Sequence, residues 1–86
     1  MTEKDRFSLE QAYAFFHQKE KVYAHSTSER EMDHIEDVIS SYVNSMSPSL
    51  YEEISGGDKT FLMEHPNFAE QLRIAVSRME RMLEEN

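Results

Sequence analysis

Eighty-six residues, 38% of them hydrophobic and 30% charged, suit one domain spanning 1–86, because a chain of this length buries only about 60 to 65% of its unfolded surface and leaves nothing for a second core. Nine Lys and Arg against 17 Asp and Glu give a net charge of −8, which phosphate backbones and anionic lipid headgroups repel, so direct nucleic-acid and membrane-surface binding are disfavoured. The chain has no cysteine, which excludes disulfide scaffolds and thiolate zinc sites.

Residues 1–7 read as a flexible N-terminus, since Met1-Thr2-Glu3-Lys4-Asp5-Arg6 mixes charges and leads into no apolar run. No signal peptide is expected there. Ser8-Leu9-Glu10-Gln11 has the form of a capping box, with Phe7 placed as a hydrophobic staple, and predicts a helix from Ser8 to about Ala24. Its main apolar stripe is Leu9, Ala12, Tyr13, Phe16 and Tyr23. Phe15 and Val22 lie roughly 100 to 120° further round the helix, too far for one partner helix to cover both stripes.

His25-Ser26-Thr27-Ser28 is the expected turn, and Ser28-Glu29-Arg30-Glu31 a second capping box, opening a helix that runs to about Met46. Met32, Ile35, Ile39, Tyr42 and Met46 step by three and four residues through it, the spacing that buries one helix face. So short a connection makes the first two helices antiparallel neighbours. Ser47-Pro48 restarts the chain with a cap and a proline at the first helical position, predicting a short helix over 48–54 that Gly56-Gly57 stops. Asp58 is placed to cap one further helical turn, Lys59 to Glu64, before Pro66. A last helix is expected from Pro66 to about Leu83, with Phe68, Leu72, Ala75, Val76, Met79, Met82 and Leu83 inward, and with Phe61 and Leu62 plugging one end. The predicted architecture is all-α: a helical hairpin and a C-terminal helix forming a three-helix bundle, with a short helical connector between helices two and three. No uncharged apolar stretch approaches the roughly 18 to 20 residues that span a bilayer, and the expected setting is the cytoplasm.

Chemistry-bearing motifs are sparse. Gly56-Gly57-Asp58-Lys59-Thr60 lacks the first glycine, the spacing and the preceding strand of a phosphate loop. Serines coincide with helix caps, and no Gly-x-Ser-x-Gly elbow is present. No catalytic residue and no cofactor is therefore expected. The leading expectation is a non-enzymatic interaction module, a regulator, adaptor or inhibitor, that docks a protein through the second stripe, Phe15 and Val22, and through the acidic face Glu29, Asp33, Glu36 and Asp37. That acidity suits a basic partner, and a second copy of the chain is the other candidate. Two alternatives stand beside it. Glu31-Met32-Asp33-His34 places a carboxylate and an imidazole one helical turn apart, as carboxylate-bridged metal bundles require; paired across a homodimer and joined by Glu20, it would make a metal site of Glu20, Glu31 and His34. The acidic surface would alternatively mimic nucleic acid and block a basic DNA- or RNA-binding protein, with binding that weakens steeply in salt.

Overall fold

The computed structural model describes residues 3–85 and is all-α, with helices α1 (Glu3–Ala24), α2 (Glu29–Ser45), α3 (Pro48–Ser55) and α4 (Phe68–Glu85) and a 3-10 turn at His65–Asn67. The expected bundle with a short helical connector is the observed architecture. α1 is its central element and packs most extensively on α4, then on α2. α1 and α4 run antiparallel: the Tyr23 ring lies 5.8 Å from that of Phe68, and at the opposite end Asp5, Ser8 and Leu9 share a cleft with Met82 and Glu85.

α1 begins five residues earlier than the capping box at Ser8 predicts, so Ser8 is a mid-helix residue and residues 3–7, expected to be flexible, are helical. Met1 and Thr2 of that expected segment lie outside the described residues. Two features favour the longer helix. Glu3 and Asp5 occupy its first turn, where the positive end of the peptide dipoles stabilises carboxylates. Arg6 Nε donates to Glu10 Oε1 at 3.1 Å, one turn further on, an exposed pair of the kind that adds a few tenths of a kcal/mol to a helix. Phe7, no longer a staple, is 61% exposed on the outer face.

The remaining boundaries follow their caps. Ser28 Oγ accepts the Glu31 amide at 3.2 Å and starts α2, which ends at Ser45 with Met46 as its cap. Pro48 opens α3 behind Ser47, although the Ser47 hydroxyl engages that of Ser49 at 2.9 Å and caps no amide. Gly56, in the left-handed region at φ 65°, closes α3 with its amide on Glu52 O, and Arg78 Nη1 reaches across from α4 to donate to Ile54 O at 2.6 Å. The carbonyls left unpaired at that helix end thereby gain donors from backbone and side chain.

Residues 58–63 form turns and not the predicted helical turn. Asp58 Oδ1 accepts both the Thr60 amide, at 2.9 Å, and the Thr60 hydroxyl, at 2.8 Å, and these two bonds hold the Asp58 carboxyl below its ordinary pKa. Leu62 stands at φ 60°, a left-handed conformation costing a branched residue about 1 to 2 kcal/mol. It is fully buried, its amide donates to Gln71 Oε1 at 2.7 Å and its carbonyl accepts Ser40 Oγ at 3.2 Å. Burial of Leu62 and Phe61 at one end of the bundle is as expected, and Tyr51 Oη adds a bond to Phe61 O at 2.8 Å.

The core is continuous through Leu9, Ala12, Phe16 and Tyr23 of α1, Ile35, Ile39 and Val43 of α2, Ile54 of α3, and Phe68, Leu72, Ala75, Val76 and Met79 of α4. Complete burial of a side chain such as Phe16 or Leu72 contributes about 1.5 to 3 kcal/mol. On α2 the buried face is rotated slightly from the predicted line: Val43 is inside, while Met32, Tyr42 and Met46 are half-buried at its edge.

Candidate functional site

The second stripe of α1 is split by the fold. Phe15 stacks on Tyr42 of α2, with centroids 4.1 Å apart and planes 11° from parallel, and meets Phe16 edge-on at 5.3 Å. Phe15 therefore belongs to the α1–α2 interface and is not an open docking residue; burial raises the Tyr42 hydroxyl above its ordinary pKa. Val22 stays 47% exposed. It sits in an open groove of about 780 Å³ at the hairpin end, lined by Lys21, Val22, His25 and Ser26 from the end of α1 and by Arg30, Glu31, His34 and Ile35 from α2. The groove exists because α1 ends just there. His25 Nδ1 donates to Lys21 O at 2.8 Å and Ser26 Oγ to Val22 O at 3.0 Å, so two of the last carbonyls are satisfied locally and the chain turns away without covering Val22. In a chain with 9 basic and 17 acidic side chains, this groove carries two permanent cations, Lys21 and Arg30, against one carboxylate, Glu31.

The acidic face is split as well. Glu29, Asp33 and Asp37 are exposed on α2, but Glu36 is only 9% exposed and points inward. Its carboxylate joins three elements. Tyr23 Oη of α1 donates to Oε2 at 2.6 Å, and His65, at the head of the 3-10 turn, places Nδ1 at 2.8 Å from Oε2 and 3.0 Å from Oε1. An ionised carboxylate can only accept, so the ring donates to it from Nδ1. The Tyr23 hydroxyl is pushed well above the ordinary tyrosine pKa, by burial first, then by its bond to Glu36 and that group's charge, then by the charge of Asp33.

Glu20, Glu31 and His34 are not brought together within one chain. Glu20 lines a cleft with Ala69, Leu72 and Arg73 on the α4 side of α1, whereas Glu31 and His34 face the hairpin groove. The turn at 25–28 does place the two helices side by side, but Glu20 occupies the side of α1 that α4 covers. Among the described residues, the group with three metal-type donors in reach of one another is Asp33, Glu36 and His65, one donor atom from each lying within 4.8 Å of the others.

His65 directly precedes Pro66, and its pairing 29 positions back along the chain has no local signature. Glu36 did carry one. It stands four residues after Met32 and three before Ile39, at the edge of the predicted buried line, where a carboxylate turned inward needs partners. No family model, curated protein or solved structure matches the chain. No helix among the described residues is long and apolar enough to cross a membrane.

Proposed function

We propose that the protein is a non-enzymatic interaction module that holds an acidic, apolar-anchored segment of a partner protein in the groove between the end of α1 and the start of α2. The observation that carries this reading is Val22, a large apolar side chain left 47% exposed inside a concave site whose wall includes Ile35 and whose permanent charges are Lys21, Arg30 and Glu31. Apolar surface in a concavity rimmed by charge is a usual form of a recognition site. The excess of cations there reverses the sign of the molecule as a whole, so the groove favours a leucine- or phenylalanine-type anchor flanked by Asp or Glu, in place of the basic partner that overall composition suggests. The cytoplasm is the setting we propose for the module, on its cysteine-free composition.

Selection from a random peptide library tests this directly, followed by titration of the enriched peptides by fluorescence anisotropy and by amide shift mapping. The expected result is enrichment of an apolar anchor with neighbouring carboxylates, shifts centred on Val22, Arg30 and His34, and at least tenfold weaker binding to Val22→Glu with helicity unchanged. Enrichment of basic peptides, or binding indifferent to Val22→Glu, would overturn the assignment. Sedimentation of the free protein as a dimer that Val22→Glu dissociates would give the groove to a second copy of the chain instead.

A further inference from the structure

A site distinct from the groove is built where α2 meets the 3-10 turn ahead of α4. We propose that Asp33, Glu36 and His65 bind a divalent first-row transition cation of the Zn²⁺ class, with Tyr23 as the group that orients the Glu36 carboxylate.

Two features of the fold place the donors. Asp33 and Glu36 are three residues apart on α2 and so share a face one turn apart. Pro66 and the 3-10 turn then set His65 against that face, with Nδ1 at 2.8 Å from Glu36 Oε2. One donor atom from each of the three side chains lies within 4.8 Å of the others. One imidazole with two carboxylates is a borderline nitrogen and oxygen set, suited to Zn²⁺ and its neighbours and lacking the six to eight oxygens that Ca²⁺ takes.

The geometry requires little adjustment. Donors around a tetrahedral ion at about 2.0 to 2.1 Å stand about 3.3 Å apart. The contact between His65 and Glu36, now 2.8 to 3.0 Å, would open by about half an ångström. Asp33, an exposed side chain with no hydrogen bond or ion pair among the described residues, is free to swing in. Coordination through Nδ1 moves the ring proton to Nε2, so a neutral His65 enters the site without losing its proton.

Charge and outer contacts agree with that chemistry. Asp33 and Glu36 place two carboxylate donors within 4.8 Å of one another beside a single imidazole. A divalent ion neutralises both at once. Tyr23 Oη, which donates to Glu36 Oε2 at 2.6 Å, supplies the hydrogen bond that ligating carboxylates characteristically receive from a neighbouring group. Three protein donors leave a fourth position open, the arrangement of sites that accept a water or an outside ligand.

Titration of the full chain with Zn²⁺ alone, against a chromogenic chelator and after exhaustive removal of metal, tests the site. One Zn²⁺ per chain is expected, with affinity lowered more than about tenfold in Asp33→Asn and in His65→Gln, both exposed positions whose variants keep the wild-type circular dichroism. The Glu31→Gln, His34→Gln double variant should bind as wild type does, and so should Val22→Glu, since neither touches the three donors. Added Zn²⁺ should raise the melting temperature of the wild type and of Val22→Glu but not that of Asp33→Asn. Failure to bind Zn²⁺, binding at wild-type strength in Asp33→Asn combined with His65→Gln, or loss of binding in the Glu31, His34 pair would each overturn the assignment.

Discussion

Single side chains in this protein are held in place by a small number of polar contacts whose removal has a calculable sign. Tyr23 Oη bonds the inward carboxylate of Glu36, and a hydrogen bond to a charged acceptor contributes about 1.5 to 3 kcal/mol. Tyr23→Phe keeps the ring and leaves His65 as the remaining donor, so a loss of about 1 to 2 kcal/mol in unfolding free energy is expected by urea titration. The same hydroxyl carries a pH dependence. Its folded pKa lies above the unfolded value, so the native state holds the proton longer, and the stability it contributes is fully present below about pH 10 and is lost as pH rises further. Thermal melts between about pH 9 and about pH 11 should therefore fall less steeply in Tyr23→Phe than in the wild type. Gly56 offers a second test. Its φ of 65° and a Cβ position 3.0 Å from Arg78 Nη1 mean that Gly56→Ala both strains the backbone and presses on the donor to Ile54 O, for an expected loss of about 1 to 2 kcal/mol by chemical denaturation.

At the scale of elements, the helices formed where their local signals were unopposed and differed where another contact outweighed them. Ser28, Ser47-Pro48 and Gly56 marked the ends of α2 and α3 because each signal acts within a turn of itself. Ser8 failed as a cap because residues 3–7 have helix formers and well-placed acids of their own, which extend the helix past it. The helical turn expected over Lys59 to Glu64 does not form because Asp58 engages Thr60 in a tight turn and Leu62 turns left-handed, the latter held by Ser40 and Gln71 from other helices. Those holds are tertiary and have no trace in the local sequence. Phe15 gives the clearest energetic consequence. Stacked on Tyr42 and part of the α1–α2 seam, it should cost about 2 kcal/mol when truncated to Ala, less than a fully buried phenylalanine. Equilibrium unfolding in guanidinium would measure this, and an effect below about 0.5 kcal/mol would return Phe15 to the surface.

The molecule as a whole is organised by α1, whose buried face meets α4 more than it meets α2. The N-terminal hairpin is thus not a self-sufficient unit. A fragment of residues 1–46 exposes Leu9, Phe16 and Tyr23, which α4 would otherwise help to cover, and should show little helicity by circular dichroism until a 47–86 fragment is added. The stripe periodicities made the bundle legible in advance, and they made the C-terminal helix legible almost residue by residue: Phe68, Leu72, Ala75, Val76 and Met79 are all inside. They could not reveal which residues meet across helices, so the junction of Tyr23, Glu36 and His65 emerged only from the fold, although Glu36 at the edge of a buried line was the visible hint. The antiparallel seating of α1 on α4 has one more consequence. It brings Asp5 and Ser8 to the same cleft as Met82 and Glu85, so the first turns of α1 and the last turn of α4 lie side by side and the described backbone comes close to closing into a ring. A short glycine-serine bridge between them, with the ring reopened at exposed Gly57, would give a circularly permuted chain in which α4 is synthesised before α1 while every helix keeps its neighbours.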